Sequence, residues 1–94
     1  NYEDLGFSAK GQGWKDALEG KYNRDGALPC QTDGGLKCFG HPIGASGLRM
    51  LYEIYLQLMG RASHCQIPSS KLGLALNLGG YPYRSVAAVT ILGR

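Results

Sequence analysis

One fourteen-residue stretch constrains this chain more than any other. Gly34 to Gly47 holds five glycines and a single histidine, His41, followed at once by Pro42. Glycine at that density costs backbone entropy unless the main chain must turn sharply or let another group come close. Pro42 fixes its own φ and drives His41 toward an extended backbone, so the imidazole is held on a stiffened loop. The longest amphipathic run of the sequence, Leu48 to Ala62, follows directly. Loop, rigid histidine, then helix N-terminus is an order suited to a small-molecule site more than to a solvent-facing turn. The plainer alternative is a loop histidine satisfied by backbone.

Before this stretch the signals are local. Asn1 to Gly13 reads as a loop. Trp14 to Tyr22 is expected to be a short helix, with Trp14, Ala17, Leu18 and Tyr22 on one face. Asn23-Arg24-Asp25-Gly26 gives a turn, and Leu28 to Thr32 is expected to run extended into the glycine loop. No internal repeat or low-complexity tract interrupts the chain.

After it the periodicity is stronger. From Ser46, Leu48, Leu51, Tyr52, Tyr55, Leu58, Met59 and Ala62 recur at three and four, which predicts a helix with those residues in the core. Arg49 and Glu53, on the other side, are spaced to pair. Ser63 to Ser70, with Pro68, is a surface connection, and His64 within it a surface group. Leu72, Leu74, Leu76 and Leu78 alternate with small or polar residues, as one buried sheet face requires. Ser85 to Leu92 is nearly continuously apolar and suits a strand covered on both sides. Gly79 to Tyr83 is the turn between them. The order is α/β and ends in an antiparallel pair.

Ninety-four residues make one small domain at most, and the apolar residues crowd after Gly47, which suggests part of a larger fold. The net charge of +3 comes from scattered basic groups, so neither nucleic acid nor a membrane is expected as a partner. Cys30, Cys38 and Cys65 form no disulfide framework and no Cys-x-x-Cys pair, which points to a reduced cytoplasmic setting and no metal site. Cys38 is expected to be buried. Neither the P-loop nor the dinucleotide fingerprint is present.

Taken together, Gly34-Gly35, the run Gly40-His41-Pro42-Ile43-Gly44-Ala45-Ser46-Gly47, and Asn77-Leu78-Gly79-Gly80 ahead of a terminal strand resemble the C-terminal part of a thiolase. Tyr2 to Phe7 and Lys10 to Gly13 resemble the branch of sterol-carrier-protein-type thiolases and archaeal acetyl-CoA acetyltransferases. The resemblance covers essentially the whole chain. It implies a layered fold of two βαβαβαββ units, with residues 1–94 the C-terminal part of the second, a helix packed on a mixed sheet that ends in an antiparallel strand pair.

The same resemblance implies the activity of an acyl-CoA thiolase, which forms or thiolytically cleaves a 3-oxoacyl-CoA through an acyl-cysteine located outside this chain. A thiol is only slightly ionised at neutral pH and needs a base within reach. His41 matches the histidine given that role, and its ring also faces developing enolate charge. Gly79 matches an oxyanion-hole glycine, while Asn77, Gly80, Pro42 and Gly44 fall where substrate is lined. Asn77 stands where many thiolases carry a second catalytic cysteine; the sterol-carrier branch likewise has Asn-x-Gly at this turn, its acid/base cysteine lying in a His-Asp-Cys-Phe loop expected upstream of Asn1. None of the three cysteines here matches a catalytic one. No cofactor is implied, coenzyme A being a substrate. Implied partners are acyl-CoA, the remainder of the thiolase in a homo-oligomer, and an OB-fold and zinc-ribbon protein of the kind that accompanies some of this branch. The alternative is a thiolase-like lyase, cleaving an acyl-CoA by a retro-aldol step, or a non-catalytic subunit acting with such a partner.

Overall fold

The computed structural model describes all 94 residues, Asn1 to Arg94, as two compact units, Asn1–Thr32 and Asp33–Arg94. The first unit is built on polar contacts. Its one helix, α1 (Gly13–Leu18), exposes both Trp14 and Leu18, so the face expected to be apolar is turned to solvent. The helix stops short of the expected Tyr22 because Gly20 takes φ +82. Its C-terminal carbonyls are then closed by Lys21 N–H to Asp16 at 3.0 Å and Gly20 N–H to Ala17 at 3.2 Å.

Freed from the helix, Tyr22 becomes the buried centre of the unit and stacks on Tyr2 with ring centroids 3.8 Å apart. Buried Ser8 bonds both the Tyr22 hydroxyl and Asp16, the latter at 2.5 Å, and Lys21 Nζ reaches the same Asp16 oxygen at 2.9 Å. The Ser8 hydrogen bond, then Lys21, hold the Asp16 carboxyl below the usual range. Residues 28–32 form no strand, and Gln31 has φ +52.

The second unit carries α2 (Gly35–Phe39), α3 (Ser46–Leu58), β1 (Leu72–Tyr81) and β2 (Arg84–Gly93). Sequence periodicity did not anticipate α2, which lies inside the glycine stretch. Asp33 Oδ1 accepts from Gly35 N–H at 2.9 Å and satisfies a donor at its start. The α3 helix ends at Leu58 rather than Ala62, closed at Gly60 by the pattern that ends α1: Arg61 N–H to Leu56 at 2.8 Å and Gly60 N–H to Gln57 at 3.2 Å. Beyond it, Gln57 and Gln66 hold the connection through bonds to Cys65, Ile67 and Ala62.

The sheet has two antiparallel strands, with Leu72 opposite Gly93 and Tyr81 opposite Arg84. The turn is narrower than expected. Only Pro82 and Tyr83 lie outside the ladder, with proline's fixed φ followed by φ +64 at Tyr83, the pattern of a type II turn.

Alternation along β1 is as expected, but the face against the helix is the opposite one. Gly73, Ala75 and Asn77 face α3: Ala75 is 3 % exposed, and a Cβ on Gly73 would lie 2.5 Å from Ile54 Cγ2. A helix this close leaves room for small side chains only. The leucines turn away, with Leu72 73 % and Leu78 58 % exposed, and share their face with Val89 and Ile91 of β2. The β2 strand is exposed along almost its whole length, not covered on both sides.

The apolar stripe of α3 divides in the same way. Leu58 is buried and Leu51 and Ile54 half-buried, while Leu48, Tyr52, Tyr55 and Met59, expected in the core, are exposed. No helix is long and apolar enough to cross a membrane.

Candidate active site

The loop that carries His41 is clamped at both ends. Asp33, just before α2, forms an ion pair with Arg49 in the first turns of α3. The Arg49 guanidinium also lies 4.4 Å from the centroid of the Phe39 ring, the last residue of α2. Burial alone would raise the Asp33 carboxyl. The Arg49 hydrogen bond, Gly35 N–H and the guanidinium charge outweigh it and hold the group below the usual carboxylate range. Arg49 therefore does not pair with Glu53 as its helical spacing suggested; Glu53 accepts from Gln57 at 3.1 Å instead.

Between the clamped ends, Gly40 N–H bonds Leu36 at 2.8 Å and finishes α2. Pro42 then turns the chain into α3. Its carbonyl accepts the N–H groups of Ala45 and Ser46, both at 2.9 Å. The His41 ring is exposed but anchored: its Nδ1 lies 2.7 Å from Ser46 Oγ, and that hydroxyl reaches the Pro42 carbonyl at 3.1 Å. Ser46 itself is 3 % exposed.

Asn77 reaches the same end of α3 from β1. Its side chain lies against Gly47, where an added Cβ would stand 3.3 Å from Asn77 Nδ2. Ser46, which holds His41, and Gly47, which touches Asn77, are adjacent, so one helix start positions both. Gly79 is two residues on from Asn77 along the same face of β1, and a Cβ there would have no atom within 4 Å. Gly44 is exposed with equally open surroundings. Gly80 differs: it takes φ +107, and a Cβ would meet the Arg84 carbonyl at 2.4 Å, so the hairpin itself requires glycine there.

Three residues that build this site were not singled out as part of it. Ser46 lies five residues after His41 at a helix start, where a hydroxyl is a common local partner. Asp33-Gly34-Gly35 is a turn-like run ahead of a helix. Arg49 had a nearer partner available in sequence and offered no signal toward Asp33. The cysteines stay outside. Cys38 is exposed rather than buried, with its sulfur beside Gly34. Burial pushes the Cys30 thiol up, away from nucleophile behaviour. No three His, Cys, Asp or Glu side chains are grouped to hold a metal ion.

An imidazole anchored through one nitrogen at a helix start that also meets a carboxamide can exchange a proton and, once protonated, donate a hydrogen bond to a substrate oxygen. The model of the thiolase C-terminal domain-like family matches residues 1–94. The chain belongs to that family. It is 40% identical over 92 residues to the acetyl-CoA acetyltransferase of Methanothermobacter thermautotrophicus, covering 98% of this chain and 24% of that protein. It is 40% identical over 78 residues to human sterol carrier protein 2, covering 83% of this chain and 14% of that protein. It is also 31% identical over 80 residues to benzoylsuccinyl-CoA thiolase subunit BbsB of Thauera aromatica, covering 84% of this chain and 21% of that protein. The chain thus spans about a quarter or less of the length of these curated relatives.

Proposed function

We propose that this thiolase domain is the C-terminal portion of an acyl-CoA thiolase, contributing His41 as the base that ionises an acyl-accepting cysteine located outside residues 1–94. In the thiolytic direction the thiolate attacks the 3-oxo carbonyl, the C2–C3 bond breaks, and the two-carbon thioester leaves as an enolate that takes up a proton. The acyl group then passes from cysteine to the thiol of coenzyme A. His41 accepts the cysteine proton and hydrogen-bonds the thioester oxygen as enolate charge develops. The Gly79 N–H stabilises the oxyanion of the other carbonyl, and Asn77, Pro42, Gly44 and Gly80 line the substrate. Coenzyme A is a substrate, and no cofactor is part of the proposal.

The observation that carries this reading is the anchoring of His41 by Ser46 at the start of α3, in a chain that the family model matches from end to end. The leucine face of β1 supports it as well: on this reading the remaining chain, or a second copy of the protein, covers Leu72, Leu74 and Leu78. The test is acetoacetyl-CoA thiolysis by the full-length protein and its His41→Ala variant, alongside alkylation of the cysteine by iodoacetamide. Turnover should fall about 10²–10⁴-fold, the range for one positioned acid–base group, and alkylation should slow with it. Near-native turnover and alkylation would reduce His41 to a loop residue.

One observation favours a second reading. One relative is named as a thiolase subunit. The chain would then belong to a subunit that acts on an acyl-CoA, by acyl transfer or by a lyase step, only with a partner protein. Activity that appears only on adding such a partner would select it.

A further inference from the structure

We infer that Ser46 is a positioning residue for His41, holding the neutral ring in the tautomer that carries its proton on Nδ1 and leaves Nε2 as the basic atom. The inference rests on the catalytic reading of His41. A serine hydroxyl has one proton to donate and two lone pairs that accept. Ser46 Oγ has two partners, His41 Nδ1 at 2.7 Å and the Pro42 carbonyl oxygen at 3.1 Å.

The carbonyl can only accept. Were the hydroxyl proton directed at Nδ1, two oxygens would face each other with lone pairs alone between them. Ser46 is 3 % exposed, so solvent is not there to relieve that repulsion. The proton therefore lies toward Pro42, Oγ accepts, and Nδ1 must be the donor.

The bonds then run in one direction, from Nδ1–H to Oγ–H to the Pro42 carbonyl, and each polarises the next. Neither the hydroxyl nor its acceptor is free to reorganise. The Pro42 carbonyl is already held by the N–H groups of Ala45 and Ser46, and Ser46 is the first residue of α3. Only Nε2, on the far side of the imidazole, keeps a lone pair. A neutral ring in the other tautomer would present an N–H there and could not take a proton from a thiol.

The test uses the full-length protein with ¹⁵N-labelled histidine, reading the His41 tautomer by ¹⁵N–¹H correlation at mildly alkaline pH. Wild type should show Nδ1–H. Ser46→Ala should show Nε2–H and lose kcat by about 10-fold or more, short of the about 10²–10⁴-fold expected for removing the acid–base group itself, with KM little changed. Nε2–H in wild type, or a Ser46→Ala variant with the wild-type tautomer and kcat, would overturn the inference. If His41→Ala is inactive while wild type shows Nε2–H, only the inference fails. Near-native turnover of His41→Ala would overturn the catalytic reading and the positioning role together.

Discussion

Asp33 and Arg49 are joined across sixteen residues by an ion pair that closes the segment bearing His41. The pair links Asp33, two residues before α2, to the first turns of α3, and the same guanidinium lies over the Phe39 ring. A loop rich in glycine would otherwise sample many conformations, at an entropic cost each time the imidazole had to be placed. The pair and the Ser46 hydrogen bond meet that cost in the folded state, ahead of any substrate.

Asp33→Asn is therefore expected to cost about 1.5–3 kcal/mol of stability at neutral pH, the range for a hydrogen bond to a charged group. The pH dependence follows from the direction of the shift. The folded Asp33 carboxyl is held below its unfolded value of about 4, so its contribution is complete above that pH and is lost as pH falls through the folded value. Denaturant unfolding of the two proteins should differ most near neutral pH and converge in acid. A constant difference across that range would mean the ion pair contributes nothing.

Gly79→Ala and Gly80→Ala should separate chemistry from architecture. A Cβ at Gly79 meets open space, so stability should hold, while turnover falls if the added methyl takes up the space that the substrate oxygen needs beside the Gly79 N–H. A Cβ at Gly80 meets the Arg84 carbonyl at φ +107, and the hairpin should lose more than about 1 kcal/mol. Equal effects of the two changes on melting temperature would contradict this assignment.

Gly73→Ala should overpack the helix–sheet contact, costing about 1–3 kcal/mol through Ile54. In an Ile54→Ala background the same change should cost less, because the methyl it strikes is gone. A double-mutant cycle measures the difference, and strict additivity would show that the two side chains do not meet.

Residues 1–94 expressed alone should show no thiolysis of acetoacetyl-CoA and should self-associate. The exposed face of Leu72, Leu74, Leu78, Val89 and Ile91 is a large apolar patch with sheet edges beside it. Leu78→Lys with Ile91→Lys should shift light scattering toward monomer. A monodisperse wild-type monomer would count against the patch as an adhesive surface.

Much of this was legible in local pattern. The start of α3, the two strands, their antiparallel pairing and the His41 loop all follow from spacings of three and four, from alternation, and from glycine and proline, because each depends on neighbours within a few residues. The resemblance carried by the Gly40–Gly47 run and the Asn77 turn belongs to the same level. Which face of β1 meets the helix does not. Leu72, Leu74, Leu76 and Leu78 form the more apolar row, yet Gly73, Ala75 and Asn77 lie against α3, because the close approach of Ile54 and Gly47 admits only small or flat side chains. Arg49 likewise chose Asp33 over the nearer Glu53, and the His41 ring chose Ser46. Periodicity reports that a residue has a face; what stands opposite that face is decided by distances between segments far apart in the chain, and those exist only once the chain has folded.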